Sequence, residues 1–259
     1  MKKILILGCS FSAGSHRLKT EDFTPDRPDE LVPNSKGWYH YVDHFKDNDI
    51  TVIACPGHGY WTWYQILLML DQTNQLKYDE IWIQETSEPR IAILNIRKIE
   101  EKLRKPGNFI ENIHIKKLGN SDCVTITRPA DKSSNINNKG SFIRDIVIHG
   151  ERSYLNLSLY NPYNFYEELS KTIIKDVQNI LKNNKIKSYV WSIRGPIMDA
   201  EYVIRLDDMI NIIDILEFKE LTTGSQLSGI KIHRGGHATE EGNKFIGELI
   251  NKACINMKI

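Results

Sequence analysis

Apolar and polar residues along the chain form short apolar runs separated by longer amphipathic stretches. The run at residues 4–7 is entirely apolar and leads into a turn of small residues, which predicts a strand buried on both faces. Similar runs predict further strands at 50–54, 80–84 and 188–193. Strands that alternate with helices indicate a mostly parallel sheet between two layers of helices.

Helices are predicted where apolar side chains recur every three or four residues. They cover residues 37–46, 60–72, 163–183 and 239–253. In the first of them, the apolar face consists of Trp38, Tyr41, Val42 and Phe45. The last begins after Gly235-Gly236-His237-Ala238 and closes the chain.

Two stretches lack a clear period. Residues 17–36 contain three prolines and several charges, which predicts a long surface loop. The pattern is also weak across 90–161, where we expect an insertion of helices and loops, around 94–160, that covers or flanks a site. We therefore predict one domain over 1–259, a three-layer α/β/α sandwich with a mostly parallel, flavodoxin-like central sheet.

Composition narrows the class of protein. The 34 lysines and arginines nearly balance the 33 aspartates and glutamates, which argues against a dedicated nucleic-acid or anionic-membrane binder. No apolar run approaches the roughly 18 residues of a membrane span. The four cysteines are scattered without a CxxC pair, so we expect reduced thiols in a cytoplasmic protein. The opening of the chain superficially resembles a lipoprotein signal, but its apolar run is shorter than the roughly 7–15 residues such a signal needs.

Two residues at opposite ends of the chain suggest chemistry. Ser10 lies in the turn after the first predicted strand, and His237 lies just ahead of the last helix. Such a pair suits a nucleophile and its base, because a serine hydroxyl is a weak nucleophile until an imidazole takes its proton. Each residue also has a structural alternative. Ser10 could cap the helix that follows it, and His237 could lie next to the N-cap of the last helix without any role in chemistry.

With these residues the chain resembles the SGNH (GDSL-type) hydrolases. Gly-Cys-Ser-Phe-Ser at 8–12 matches the first family block, Gly-Asp-Ser-x-Ser, with cysteine in place of aspartate. The resemblance implies that Ser10 is the nucleophile and that its own N–H is an oxyanion donor. The glycine block falls at 54–59, which implies Gly57 as the second backbone donor, with Gly59 as the next choice. The last block, Asp-x-x-His, is Arg-Gly-Gly-His at 234–237, which implies His237 as the base and leaves its orienting acid absent.

The third family block supplies an asparagine for the oxyanion hole, and none is present at 84–90. Thr86 is our candidate donor there, with Ser87 as the alternative. For substrate binding we select Arg90, which suits an anionic group, and Trp61, one of several aromatics after the glycine block. Missing accessory groups fit a slow or specialised enzyme and also an inactive one.

Other chemistries fit less well. A cysteine phosphatase with Cys9 as its nucleophile would need an arginine six positions later, and that residue is Ser15. A nucleotide-binding phosphate loop would need a Lys-Ser or Lys-Thr pair after the glycines, and none follows Gly14. His233 and His237 are separated by two glycines, which disfavours a helical metal site. We predict no metal and no cofactor.

The resemblance implies hydrolysis of carboxylic esters through an acyl-serine, for example of O-acetyl or acyl groups on a carbohydrate. A ligand-binding protein that has lost catalysis and an O-acyltransferase that uses the same serine remain alternatives. We expect a small-molecule or carbohydrate ester as substrate and neither nucleic acid nor membrane as partner. The oligomeric state is left open.

Overall fold

The first strand, β1 (Lys3–Gly8), lies inside the sheet, and all its residues after Lys3 are buried. The computed structural model describes residues 1–14, 35–55, 58–85, 92–94, 96–105, 107–118, 123–125, 143–148, 151–156, 162–192, 202–206, 238 and 240–259. The remaining strands are β2 (Asp49–Ala54), β3 (Glu80–Gln84), β4 (Ala92–Leu94), β5 (Asn108–Ile110), β6 (Ile113–Lys117), β7 (Cys123–Thr125), β8 (Ile143–Ile148), β9 (Glu151–Asn156), β10 (Lys187–Ser192) and β11 (Tyr202–Arg205).

Within the described residues, the strands are accompanied by four α-helices and three short 3-10 helices. The α-helices are α1 (Tyr60–Gln72), α2 (Ile96–Arg104), α3 (Pro162–Asn183) and α4 (Glu240–Met257). The 3-10 helices are η1 (Ser10–Ser12), η2 (Trp38–Tyr41) and η3 (Asp43–Phe45).

The main sheet has the order β11-β10-β3-β1-β2-β6-β5. Its first six strands run parallel, and β5 runs antiparallel to β6 at the edge. Within it, β2-β1-β3-β10-β11 is the flavodoxin-like order, which confirms the predicted fold class. The chain moves from β1 to β2 on one side and then to β3 on the other. The switch point of the topology is therefore the gap between β1 and β3, where open α/β sheets bind ligands.

Each face of the sheet carries its own apolar cluster. Leu5 and Leu7 of β1 pack towards α1 and α3 on one face, which we call the α1 face. Ile4 and Ile6 pack towards η2, η3 and α4 on the other, the α4 face. The alternation follows from the two-residue period of a strand.

Several predicted elements are confirmed. Helix α1 and strand β3 have the predicted bounds, and β1, β2 and β10 differ from prediction by one residue at one or both ends. Helix α3 begins one residue earlier than predicted, and α4 extends to Met257.

The helix predicted over 37–46 is wrong. The segment forms η2 and η3, separated by Val42, whose backbone is extended (φ −96°, ψ 117°). The break places Tyr39 in the core in addition to Trp38, Val42 and Phe45, whereas Tyr41 is half-buried. Apolar spacing alone does not separate one α-helix from two short 3-10 turns that bury the same residues.

The segment 94–160 contains more strand than predicted. In its described part, β5 and β6 extend the main sheet, whereas β4 pairs with β7 and β8 pairs with β9 as separate two-stranded sheets. Strand β11 was also not predicted. Of the loop predicted over 17–36, residues 17–34 lie outside the described residues. In the part of the chain that is described, no helix has the length and apolar character to cross a membrane.

Candidate active site at the carboxyl edge of the sheet

The turn after β1 is held close to the sheet by backbone hydrogen bonds. Ser12 N–H donates to Cys9 O at 3.0 Å, which closes η1, and Cys55 N–H donates to Gly8 O at 2.8 Å. A Cβ added to Gly8 would lie only 2.0 Å from Ser12 Oγ. Gly8 is therefore required so that η1 can fold back against its own strand.

The last residue of β3, Gln84, anchors this turn across the switch point. Its Oε1 accepts hydrogen bonds from Cys9 N–H at 3.1 Å and from Ser12 Oγ at 2.9 Å. Its Nε2 donates to Cys9 Sγ at 3.0 Å. Gln84 is 2 % exposed, so these bonds form away from water, where polar groups need partners.

The two serines of the turn have different environments. Ser12 is fully buried, and its hydroxyl accepts a hydrogen bond from Trp38 Nε1 at 3.0 Å while it donates to Gln84. Both functions of that hydroxyl are in use, so Ser12 is a structural residue. Ser10 begins η1, directly after the anchored Cys9, and the structure describes its backbone.

On the α1 face, a second polar group follows β2. His58 and Thr62 are both buried, and His58 Nδ1 lies 2.8 Å from Thr62 Oγ1, one helical turn away. Helix α1 begins after Gly59, whose carbonyl accepts from the N–H groups of Thr62 and Trp63. The N-cap residue, Gly59, has no side chain that could cap this helix start.

Glu85 directly follows β3 and is 5 % exposed. Its N–H donates to Trp191 O at 2.9 Å, which extends the pairing of β3 with β10 by one residue. Tyr60, the first residue of α1, is also buried, and its hydroxyl is near the Glu85 carboxylate but outside normal hydrogen-bond geometry. Burial, together with the charge of Glu85, raises the pKa of Tyr60 well above its ordinary value, so the phenol stays protonated.

Buried polar side chains are concentrated at this edge. Of the eight in the described part of the chain, six lie at the carboxyl ends of the strands or in the first turn of α1: Ser12, His58, Thr62, Gln84, Glu85 and Ser192. Burying polar groups is unfavourable, so their concentration where the topology opens a crevice marks this edge as the candidate site.

The opposite edge holds a different kind of polar cluster. Glu80, at the start of β3, contacts Lys2 Nζ at 2.5 Å and His44 Nε2 at 2.6 Å. Burial opposes ionisation of Glu80, but the hydrogen bonds from His44 and Lys2 outweigh it and lower the pKa to about 2. This carboxylate has a cationic partner in Lys2 and a hydrogen-bond partner in His44, so its burial has a structural explanation.

The predicted site residues are only partly described. The backbone of Ser10 lies at the expected edge, and Trp61 is half-buried on α1, packed against the apolar cluster of the α1 face. Gly59, the second choice for the oxyanion donor, precedes α1. Gly57, Thr86, Arg90 and His237 lie outside the described residues, and their roles stay predictions.

Sequence reasoning did not select His58, Gln84 or Glu85 at this edge, and it considered Tyr60 only as one of the aromatics that could line a cleft. The available signal was their position directly after β2 and β3, because parallel strands bring their carboxyl ends together.

Within the described residues, no group of three histidine, cysteine, aspartate or glutamate side chains is arranged to hold a metal ion. No protein-family model matches the chain, and no curated protein is significantly similar to it in sequence.

Proposed function

We propose that the chain is a serine esterase of the SGNH type that cleaves carboxylic esters, with Ser10 as the nucleophile and His237 as the base. The observation that carries this proposal is the hydrogen bond from Cys9 N–H to Gln84 Oε1. It fixes the turn that contains Ser10 to the end of β3, at the switch point where α/β sheets bind their ligands. The Ser12 hydroxyl already donates one hydrogen bond and accepts another, so Ser10 is the better candidate for the nucleophile in this turn.

The mechanism starts when His237 takes the proton of Ser10 Oγ as this oxygen attacks the ester carbonyl. The negative carbonyl oxygen is held by the N–H groups of Ser10 and Gly57, with the Thr86 hydroxyl as a third donor. The intermediate then collapses to the acyl-serine, and the imidazolium protonates the departing alcohol. Water deprotonated by His237 releases the acid and restores the serine. Trp61 and Arg90 contact the rest of the substrate.

The test is covalent labelling. Wild-type protein is treated with a fluorophosphonate, and the modified peptide is identified by mass spectrometry. We expect labelling at Ser10 and its loss in Ser10→Ala, whereas Ser12→Ala provides the matched control within the same turn and keeps the label. Labelling at another residue, or none in folded wild-type protein, would contradict the proposal.

A second candidate, a ligand-binding protein without turnover, is favoured by one observation. Gln84 is the only carboxamide in the segment where the family has its asparagine, and the hydrogen bonds to Cys9 and Ser12 hold it beneath the turn rather than in an oxyanion hole. Hydrolysis of 4-nitrophenyl acetate above background, lost in Ser10→Ala, excludes this alternative. Acetyl transfer to an added sugar, measured against release to water, separates an acyltransferase from a hydrolase.

A further inference from the structure

We infer that the 3-10 helix η2 sets the distance between the proposed nucleophile and its base, and that Gly247 is a positioning residue for His237. The inference rests on the proposed function and identifies residues that act on its site from a distance. Its evidence is a series of contacts that ties η2 to the turn of Ser10 at one end and to helix α4 at the other.

The first of these contacts is the hydrogen bond from Trp38 Nε1 to Ser12 Oγ, at 3.0 Å. Ser12 ends η1, the same short helix that Ser10 begins. The indole of Trp38 is fully buried and packs edge-to-face on Trp191, with ring centroids 4.9 Å apart, and on Phe45, at 6.0 Å. A large ring enclosed on several sides has little room to move in a close-packed core. Trp38 therefore couples η2 to the turn that carries Ser10.

On the other side of η2, Gly247 allows α4 to approach closely. A Cβ added to Gly247 would lie 2.6 Å from Tyr41 Cβ and 2.9 Å from Trp38 O. Both distances are shorter than van der Waals contact, and one of the two atoms is backbone, so the added carbon would push α4 and η2 apart. Glycine is a poor helix former inside a helix, and close packing is the physical reason for its presence here.

Two further side chains hold α4 on the same segment. Asn251 lies one turn after Gly247. Its Nδ2 donates to Tyr41 O at 2.9 Å, and its Oδ1 accepts from Asp43 N–H at 2.8 Å. At the first residue of α4, Glu240 Oε1 accepts from Tyr41 Oη at 3.2 Å. Positions 240, 247 and 251 lie on one face of an α-helix, so these contacts restrain both the position and the rotation of α4. Among the described elements, η2 is the main neighbour of α4.

The start of α4 transmits this restraint towards the proposed base. Ala238 precedes α4 by two residues, is 1 % exposed and belongs to the same apolar cluster as Trp38. His237 is the residue before it, and consecutive Cα atoms are about 3.8 Å apart. A shift of α4 away from η2 therefore displaces the chain at His237 relative to Ser10. A general base must lie within hydrogen-bond reach of the hydroxyl it deprotonates, and a misplacement of about 1 Å can lower the rate about 100-fold.

The experiment measures the rate of covalent labelling of Ser10 by a fluorophosphonate in wild type, Gly247→Ala, His237→Ala and the double variant, all as the full chain. We expect Gly247→Ala to lower the rate constant about 10-fold in the wild-type background, because the base is displaced. In the His237→Ala background, the same change should have no further effect, because the group whose position it alters is gone. Such non-additivity is the signature of residues that act as one unit.

If labelling of His237→Ala is too slow to follow, hydrolysis of 4-nitrophenyl acetate by Gly247→Ala decides. A displaced base lowers kcat with KM unchanged. A raised KM with unchanged kcat would mean that the substitution disturbs substrate binding instead, and it would overturn the inference.

Glu248→Ala, at the next and exposed position of α4, is the matched control and leaves the labelling rate unchanged. If Gly247→Ala does not fold, Asn251→Ala tests the same contact and should show a non-additive loss of about 5-fold. An equal loss in both backgrounds, or no loss in folded Gly247→Ala, would overturn the inference. Failure of the proposed function has a different signature, because wild-type protein would then carry no label at Ser10.

Discussion

Gln84 and Cys9 are joined by two hydrogen bonds in opposite directions. Cys9 N–H donates to Gln84 Oε1 at 3.1 Å, and Gln84 Nε2 donates to Cys9 Sγ at 3.0 Å. The contact links residues 75 positions apart and crosses the switch point of the sheet. The turn that presents Ser10 is thus held by a side chain of the neighbouring strand as well as by its own backbone.

We predict that Gln84→Ala lowers the free energy of unfolding by about 2–5 kcal/mol. The change leaves Cys9 N–H and the Ser12 hydroxyl buried without this acceptor and creates a cavity. Urea unfolding at neutral pH measures the loss. Gln75→Ala, at an exposed position, is the control and should change stability by less than about 0.5 kcal/mol. Equal stability of the two variants would show that the network is dispensable.

Gly8→Ala should be destabilising, and Ser12→Gly should partly relieve the effect. The new Cβ would lie 2.0 Å from Ser12 Oγ and 2.4 Å from Ser12 Cβ, so η1 must move away from β1. We expect a loss of about 3 kcal/mol for the single variant, at the upper end for overpacked sites. A double-mutant cycle by urea unfolding gives the coupling, which should be favourable by at least about 1 kcal/mol. Simple additivity of the two changes would contradict the steric explanation.

The sequence was most informative where local pattern and burial coincide. The apolar run at 4–7 and the segments of β3 and α1 could be located because each has one clear period. Strand β6 was not predicted because its alternation of apolar and polar residues is short and ends in two lysines. It also lies in a segment where apolar residues do not recur at a regular spacing. Its position beside β2 depends on long-range pairing, which no local pattern encodes.

For the candidate site, the sequence located the edge but not the supporting contacts. Ser10 could be selected because a small-residue turn followed an apolar run. The role of Gln84 could not be foreseen, since a glutamine at a strand end is compatible with a solvated position. Only the pairing of β1 with β3 brings it under the turn. The same applies to Glu85 and Tyr60, whose contact depends on the strand order.

Stability should fall at acid pH through Glu80. Its folded-state pKa is about 2, against an ordinary value of 4.5. Because the folded-state pKa is lowered, the unfolded state binds the proton first on acidification. The contribution, about 3 kcal/mol, is complete above about pH 4.5 and is lost as the pH falls towards 2.

Urea unfolding between pH 3 and 7 checks this prediction. Glu80→Gln should be less stable than wild type at neutral pH and should lose much of the dependence on pH below 4.5. Glu111→Gln removes an exposed ion pair with Lys36 and serves as the control, with little change expected. If the acid dependence of Glu80→Gln equals that of wild type, the cluster does not have this role.

Cys254 should resist alkylation in the folded protein. Burial, with a smaller effect of the Glu80 charge, raises the pKa of its thiol to about 11. At pH 8 the reactive thiolate is therefore a minor species as well as inaccessible. Peptide mapping after iodoacetamide treatment should find Cys254 unmodified in native protein and modified in urea. Rapid native labelling would show that the end of α4 opens readily.

Strand β5 covers only the first part of β6, since its three residues pair with Ile113, His114 and Ile115. Lys116 and Lys117 continue β6 past the last of these pairs, and burial lowers the pKa of both ammonium groups. A foreign strand docking there would have to dehydrate two cations that are already half-covered. Lysines at such a position disfavour edge-to-edge pairing with another chain. They therefore reduce the tendency of the β5–β6 edge to aggregate, even though β5 is short.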